Sequence, residues 1–183
     1  MSTGEVLLAM HGDHDAFAAL VSGASNRLYA LACLILRDTD RAEDATQDAF
    51  VRAWREIPRL RDAERFDAWL RRLLVNACYD EARRVHRRAE VSLAVIGERS
   101  VVDTASASAE SDRLERAFRR LPVDQRVVLA LQHYLELSHV EIAETLGIPL
   151  GTVKSRVRYG VAAMRAELDA DDRRAGVIEG RSA

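Results

Sequence analysis

Hydroxyl, phenol and guanidinium side chains are concentrated on one side of a short segment near the C-terminus. When residues 153–168 are placed on a helix, valines fall on one face and these polar groups fall on or beside the opposite face. Guanidinium and hydroxyl groups donate to base edges and phosphates, while a valine face packs on a protein core. The segment therefore predicts a helix that reads the major groove of DNA. Its reading residues are Thr152, Ser155, Arg156, Arg158 and Tyr159.

A second helix is predicted directly before this one, so that the two form a helix-turn-helix. Ser138 and Glu141 have the spacing of a capping box, in which each side chain bonds the backbone amide of the other residue. Gly147 supplies a residue that turns left-handed at the helix end, and Pro149 prevents continuation. Thr152 is predicted to cap the second helix. An ordinary helical hairpin with a solvated basic face is the alternative on this segment alone.

The composition indicates an all-α protein. Only 9 glycines and 3 prolines occur among 183 residues, and apolar residues recur at helical spacing along the chain. The formal net charge is −2, whereas a DNA-binding protein that acts alone usually has a basic excess that neutralises phosphates. The charge implies either that the chain does not bind DNA or that it binds weakly unless a partner brings it there.

Two patterned blocks and one break in the pattern predict two small helical domains joined by a flexible linker. The first domain is predicted at residues 1–88, the linker at 89–110, the second domain at 111–170 and a charged, frayed tail at 171–183. Asp13 is predicted to cap the first helix. The predicted helices lie near residues 15–36, 41–57, 66–88, 111–120, 123–134, 139–146 and 153–168.

The predicted helix 41–57 has an acidic outward face around an apolar residue. This face consists of Asp44, Gln47, Asp48 and Val51. Acidic groups around an exposed valine are typical of a docking surface for a basic protein partner. A solvated acidic face is the simpler explanation on physical grounds.

The predicted helix 66–88 has a basic stripe interleaved with an amide and an aromatic ring. The stripe consists of Arg72, Asn76, Tyr79, Arg83, His86 and Arg87. Guanidinium groups track phosphates, while an exposed aromatic ring stacks on an unpaired base. A solvated basic helix, with its C-terminal charges favoured by the helix dipole, explains the same residues equally well.

Other classes of function find no support in the sequence. Cys33 and Cys78 lie within or beside apolar stripes, which predicts small buried side chains rather than a disulfide or metal site. There is no phosphate-binding glycine loop, metal constellation or nucleophile motif, so we expect neither enzymatic activity nor a cofactor. No apolar run approaches about 20 residues and no signal-peptide pattern is present, which predicts a soluble cytoplasmic protein without membrane contact.

Taken in order, these segments resemble bacterial RNA polymerase sigma factors of the extracytoplasmic-function (ECF) type in the sigma-70 family. In the first block the resemblance rests on Asp15-Ala-Phe17, Leu36-Arg-Asp38, the run Ala42–Trp54, and Phe66-Asp-Ala-Trp-Leu70 with Asn76, Asp80 and Arg83-Arg84. In the second block it rests on Leu121-Pro122, Arg126–Leu129, Leu137-Ser138, Glu141-Ile-Ala143 and the run Leu146–Arg156. The resemblance covers nearly the whole chain apart from the linker and tail.

The resemblance implies a role for each face. Binding of core polymerase, at the β′ clamp helices, would fall to Asp44, Gln47, Asp48 and Val51. Recognition of the −10 promoter element, partly single-stranded, would fall to Arg61, Asn76, Tyr79, Arg83 and Arg87. Recognition of the duplex −35 element would fall to Thr152, Lys154, Ser155, Arg156, Arg158 and Tyr159. The family also implies contact with the β flap and control by an anti-sigma factor.

The alternative is a helix-turn-helix regulator that acts without replacing sigma. Such a regulator needs a dimerisation helix or a ligand-sensing domain, and the sequence contains neither. One departure from the family lies at Gly160-Val-Ala-Ala163, where relatives often have further basic residues. This departure predicts fewer phosphate contacts and a helix loosened by up to about 1 kcal/mol at the glycine.

Overall fold

The all-α prediction is confirmed. The computed structural model describes residues 2–91 and 109–179, and within these ranges the secondary structure consists of eight α-helices and two short 3₁₀ turns, without strands. The helices are α1 (Thr3–Met10), α2 (His14–Leu36), α3 (Thr39–Glu56), α4 (Phe66–Val91), α5 (Ala109–Arg119), α6 (Val123–His133), α7 (His139–Leu146) and α8 (Leu150–Glu179). Residues 92–108 of the predicted linker lie outside the described residues, while its two ends, 89–91 and 109–110, belong to α4 and α5.

The described chain forms two compact units. The first consists chiefly of α1–α4, and the second consists chiefly of α5, α6, α8 and most of α7. In the first unit α2, α3 and α4 pack against one another, and α1 packs on α2. The buried positions of α3 are mostly alanines, which allows the backbones of its neighbours to approach closely. These buried residues are Ala42, Ala45, Thr46, Ala49 and Ala53.

α2 is the central helix of the first unit. The Asp13 carboxylate accepts a hydrogen bond from the Ala16 amide at 2.9 Å, so the predicted cap is confirmed. By length and apolarity alone α2 could cross a bilayer, which the sequence analysis understated. Its buried side chains, including Leu20, Leu28 and Ile35, instead belong to the core that it forms with α3 and α4. α2 is therefore a core helix.

One helix was missed, and several helix boundaries differ from prediction. α1 was not predicted, although Ser2 and Glu5 have the capping spacing and the Ser2 amide donates to Glu5 Oε2 at 3.3 Å. α8 runs to Glu179, so its predicted end at Leu168 is wrong and residues 171–179 of the predicted frayed tail are helical, while residues 180–183 lie outside the described residues. The helix persists because acidic side chains beyond Leu168 pair with arginines of α5, a tertiary contact that local propensity does not reveal.

Candidate nucleic-acid and partner interfaces

The local sequence of α3 presents its acidic face to solvent. Asp38 caps the helix by accepting a hydrogen bond from the Arg41 amide at 3.0 Å. Because the alanines occupy the side facing α2 and α4, the polar residues between them project outward. Asp44, Gln47 and Val51 are exposed, and Val51 is 46% exposed despite being apolar. An acidic surface with an exposed valine is suited to a basic protein surface.

Asp48, the fourth residue of this face, is half-buried and engaged in an ion-pair chain. Arg52 Nη2 lies 2.6 Å from Asp48 Oδ2 and 2.9 Å from Asp80 Oδ2 on α4. Arg83 Nη2 lies 2.5 Å from Asp80 Oδ1. We call these four residues the charge chain. It joins the acidic face of α3 to the basic stripe of α4.

The contacts of the two inner residues, Arg52 and Asp80, favour their charged forms. Burial disfavours the Asp80 carboxylate, but hydrogen bonds from Arg52 and then Arg83 outweigh burial and hold the pKa of Asp80 below its usual value. The hydrogen bond to Asp80 raises the pKa of the Arg52 guanidinium against the effect of burial, and Asp48 adds to this increase. Each inner group thus stabilises the charged form of the other.

The stripe predicted on α4 projects from a helix whose opposite side is buried. Asn76, Arg83 and Arg87 are exposed and lie at steps of seven and four residues, on one side of the helix. Tyr79 is half-buried, and the side chain of His86 lies outside the described residues. The core side carries Phe66, Leu70, Leu73, Leu74 and Ala77 as predicted. The arrangement leaves guanidinium and amide groups facing solvent.

The segment before α4 forms two 3₁₀ turns rather than an open loop. The turns span Ile57–Arg59 and Ala63–Arg65, and Asp62 accepts a hydrogen bond from the Glu64 amide at 2.9 Å. Arg61 lies between them and is exposed. The two turns fix the backbone on either side of Arg61, five residues before α4 begins.

The first helix of the helix-turn-helix begins and ends as predicted. The Ser138 amide donates to Glu141 Oε2 at 2.8 Å, and the Glu141 amide donates to Ser138 Oγ at 3.3 Å. Gly147 has a φ of +66°, the left-handed conformation that glycine adopts at low cost.

The predicted cap of the second helix is wrong. α8 begins at Leu150, so Thr152 lies within its first turn, and the Thr152 and Val153 amides donate to the Pro149 carbonyl. The Pro149 carbonyl thus accepts from two amides of the first turn, and the helix begins without a side-chain cap from Thr152.

The reading face of α8 divides into exposed and half-buried members. Lys154, Arg158 and Tyr159 are exposed, with Tyr159 at 56%. Arg158 Nη2 lies 3.0 Å from the Tyr159 hydroxyl and the guanidinium lies 4.8 Å from the ring centre. The half-buried members are Thr152, Ser155 and Arg156. Exposed cationic and aromatic groups on a helix are chemically suited to phosphates and base edges.

Gly160 has a packing role that the sequence analysis missed. A Cβ at this position would lie 2.9 Å from Leu129 Cδ1 and 3.5 Å from Gln125 Cβ on α6. Gly160 is buried, and a side chain at this position would point into α6. The lack of a basic residue at position 160 therefore reflects helix packing.

Comparison with known proteins identifies the family. The family model for sigma-70 region 2 matches residues 20–88, and that for sigma-70 region 4 matches residues 111–164. The ECF RNA polymerase sigma factor SigW of Bacillus subtilis is 33% identical over 170 residues, which span 86% of this chain and 91% of SigW. The chain belongs to the ECF sigma factors. The sigma factor is also similar to SigM of Mycobacterium tuberculosis, at 36% identity over 82% of this chain and 76% of SigM.

Solved structures share the fold of this sigma factor. The sigma factor RpoE of Bartonella quintana, in complex with the anti-sigma factor NepR, matches with a TM-score of 0.71 and 27% identity over 85% of this chain and 98% of that one. CnrH, in complex with the cytosolic domain of CnrY, matches with a TM-score of 0.68 and 27% identity over 92% of this chain and 97% of that one. Sigma factors bind core RNA polymerase and promoter DNA, so this protein is a transcription initiation factor.

Three further residues of the sigma factor make contacts that the sequence analysis did not predict, although Asp80 was among those that carry the resemblance. Arg52 and Asp80 form the inner pair of the charge chain, and Asp124 Oδ2 lies 3.1 Å from Arg156 Nε. The spacing of Asp48 to Arg52 and of Asp80 to Arg83, at four and three residues, indicates ion pairs within each helix. The bonds from Arg52 to Asp80 and from Arg156 to Asp124 join different helices, and nothing in the sequence indicates them.

Proposed function

We propose that the acidic face of α3 binds core polymerase, the α4 stripe binds the −10 strand and the exposed face of α8 binds the −35 duplex. The observation that carries this division is the opposite charge of the two faces in the first unit. The outward α3 face presents Asp44 and Asp48, while the α4 stripe presents Arg83 and Arg87. A polymerase surface that binds α3 would be basic, and DNA that binds α4 is acidic.

The α3 face has the composition of a protein interface rather than a DNA interface. Asp44 and Gln47 are exposed beside the exposed Val51. The Gln47 side-chain amide donates to Glu43 Oε1 at 3.1 Å, which keeps that side chain extended along the helix. Acidic residues on this face would repel phosphates, so the face suits a lysine- or arginine-rich helix of the polymerase.

The α4 stripe has the groups that single-stranded DNA requires. Arg83 and Arg87 supply charge for the backbone, Asn76 supplies an amide for base edges and Tyr79 supplies a ring for stacking. Arg61, held between the two 3₁₀ turns, extends the basic surface. Capture of unstacked bases by this surface favours strand opening.

The α8 face supplies the duplex reader. Lys154 and Arg158 provide charge at the N-terminal part of the helix, which is the part that enters the major groove in helix-turn-helix proteins. Tyr159 and the half-buried Ser155 and Arg156 provide donors for base edges. Because two weak readers are tethered in one holoenzyme, the second contact forms at high effective concentration, which reconciles the net charge of −2 with promoter binding.

The proposal also includes how the sigma factor is regulated and where in the cell it acts. The fold is shared with a sigma factor bound to an anti-sigma factor, which supports control of this chain by an anti-sigma factor that covers the same faces. The protein would act in the cytoplasm, where the polymerase is. It would form and break no covalent bond itself, because the polymerase carries out the chemistry.

Run-off transcription with core polymerase tests the proposal. Core polymerase is incubated with fragmented genomic DNA with and without the protein, and start sites are mapped. We expect starts that depend on the protein and share −10 and −35 sequences, together with co-elution of the protein with core. Core that gains no promoter-specific start on any fragment, with no co-elution, would overturn the proposal.

A further inference from the structure

A chain of alternating charges connects the two proposed interfaces of the first unit. Asp48, Arg52, Asp80 and Arg83 follow one another at 2.6, 2.9 and 2.5 Å between their nearest charged atoms. A single nitrogen, Nη2 of Arg52, contacts both Asp48 and Asp80. The two carboxylates therefore share one NH2 group of the Arg52 guanidinium.

Both ends of the charge chain are more exposed than its middle, and the DNA end is the most exposed. The side chains of Arg52 and Asp80 are each 31% exposed, whereas Arg83 is 68% exposed. Asp48, at the other end, has 37% of its side chain exposed. Each end also has the charge opposite to that of its proposed ligand, because Asp48 would meet a basic polymerase surface and Arg83 would meet a phosphate.

We propose that Arg52 and Asp80 are positioning residues that couple binding of core polymerase to binding of the −10 strand. This inference rests on the proposed function of Asp48 and Arg83. Neither inner residue needs to touch polymerase or DNA. They act through the end groups that they hold.

The coupling arises because neighbouring residues of the charge chain share hydrogen-bond partners. A cationic group of the polymerase at Asp48 satisfies that carboxylate, so Arg52 then bonds Asp80 more fully. Asp80 in turn holds Arg83 less strongly, which leaves the Arg83 guanidinium available to a phosphate oxygen. By linkage, a phosphate at Arg83 must favour the polymerase contact at Asp48 by the same factor.

The first unit offers a matched control pair. Arg27 Nη2 lies 3.7 Å from Asp67 Oδ1, and this pair joins α2 to α4 as Arg52 and Asp80 join α3 to α4. This pair shares no residue with the charge chain. Arg27→Gln therefore removes one interhelical arginine without interrupting the charge chain.

The experiment measures core affinity with and without DNA. The full-length protein is labelled and titrated with core polymerase, alone and with the non-template −10 strand of a promoter fragment selected by the holoenzyme. The ratio of the two dissociation constants is the coupling factor. We expect Arg52→Gln and Asp80→Asn each to reduce this factor about two- to fivefold. Arg52→Lys should retain part of the coupling factor, since an ammonium group can also bridge two carboxylates. Arg27→Gln, the control, should leave the coupling factor unchanged.

Several results would overturn the coupling. One is a wild-type core affinity that the oligonucleotide does not change. Another is an Arg52→Gln protein that loses affinity for both ligands while the coupling factor stays constant, which would indicate a purely structural pair. If Arg52→Gln does not fold, Asp80→Asn and Arg52→Lys decide the question. Failure of the proposed function has a different signature, namely normal core affinity in Asp48→Lys and normal DNA affinity in Arg83→Ala.

Discussion

Arg156 on α8 is bound to Asp124 on α6, with 3.1 Å between Nε and Oδ2. Asp124 lies in the first turn of α6, where an acidic residue is favoured by the helix dipole. The ion pair holds the Arg156 guanidinium through its Nε atom. An arginine held in this way loses less side-chain entropy when it binds a base edge.

Loss of Arg156 should weaken −35 selectivity while core binding stays intact. We expect Arg156→Ala to cost about 1–3 kcal/mol of discrimination at one base pair of the −35 element. Asp124→Asn should cost less, because the guanidinium remains but is no longer fixed. Holoenzyme binding to promoter fragments with single-base changes measures both effects. If Arg156→Ala instead releases core polymerase, the assignment of α8 to DNA is wrong.

The close contact between Gly160 and Leu129 predicts the effect of enlarging the glycine. Gly160→Val would force α6 and α8 apart and should destabilise the second unit by about 1–3 kcal/mol, the usual cost of overpacking. Circular dichroism during urea unfolding measures this loss. Both tryptophans, Trp54 and Trp69, lie in the first unit, so the fluorescence transition should not move.

A compensating change provides the control for this prediction. Leu129→Ala removes the methyl group that a side chain at residue 160 would meet. The double variant should therefore lose less free energy of unfolding than the two single variants lose together. If the loss in the double variant equals the sum of the two single losses, Gly160 is required for a reason other than its contact with Leu129.

The sequence was sufficient for features that depend on local chemistry. The capping box at Ser138 and Glu141, the cap at Asp13 and the left-handed Gly147 are set by neighbouring residues, and each was predicted correctly. Features that depend on distant partners were missed. The bond between Arg52 and Asp80 spans 28 residues of sequence, and no local pattern indicates it.

A charge reversal on α3 tests the proposed polymerase interface. Asp44 is exposed, so Asp44→Lys should leave the fold stable and weaken core binding at least about tenfold, because a lysine there would repel a basic partner. Glu56→Lys introduces the same charge change at the other end of α3 and should have little effect. Titration of labelled protein with core polymerase compares the two. Equal losses in both variants would indicate an effect of net charge rather than a specific interface.

The pKa of Asp80 predicts how its contribution to stability depends on pH. Because the folded state holds this pKa below the unfolded value, the ionised carboxylate stabilises the fold above about pH 4, and this stabilisation declines as pH falls toward the folded pKa. Asp80→Asn should therefore cost about 1 kcal/mol at pH 6 and less at pH 3. Urea unfolding followed by tryptophan fluorescence measures both differences. A difference that does not change with pH would mean that Asp80 titrates alike in both states.

The C-terminal part of α8 should stabilise the second unit by binding α5. Arg113 Nη2 donates to the Leu168 carbonyl at 3.1 Å and lies 2.5 Å from Asp172 Oδ1, and Arg120 pairs with Glu167. Each exposed pair is worth little, but together with the backbone contact they should contribute about 1–3 kcal/mol.

Two truncations separate this effect from loss of the end of the chain. A chain that ends at Arg165 should unfold at lower urea by circular dichroism, while the fluorescence of Trp54 and Trp69 should follow the wild-type transition. A chain that ends at Arg173 keeps every contact given above and should match the full-length protein. Added salt should reduce the difference in urea midpoint between the two truncated proteins, because salt screens exposed ion pairs. If both truncated proteins unfold at the same urea concentration at every salt concentration, the acidic segment after Arg165 does not stabilise the packing of α8 on α5.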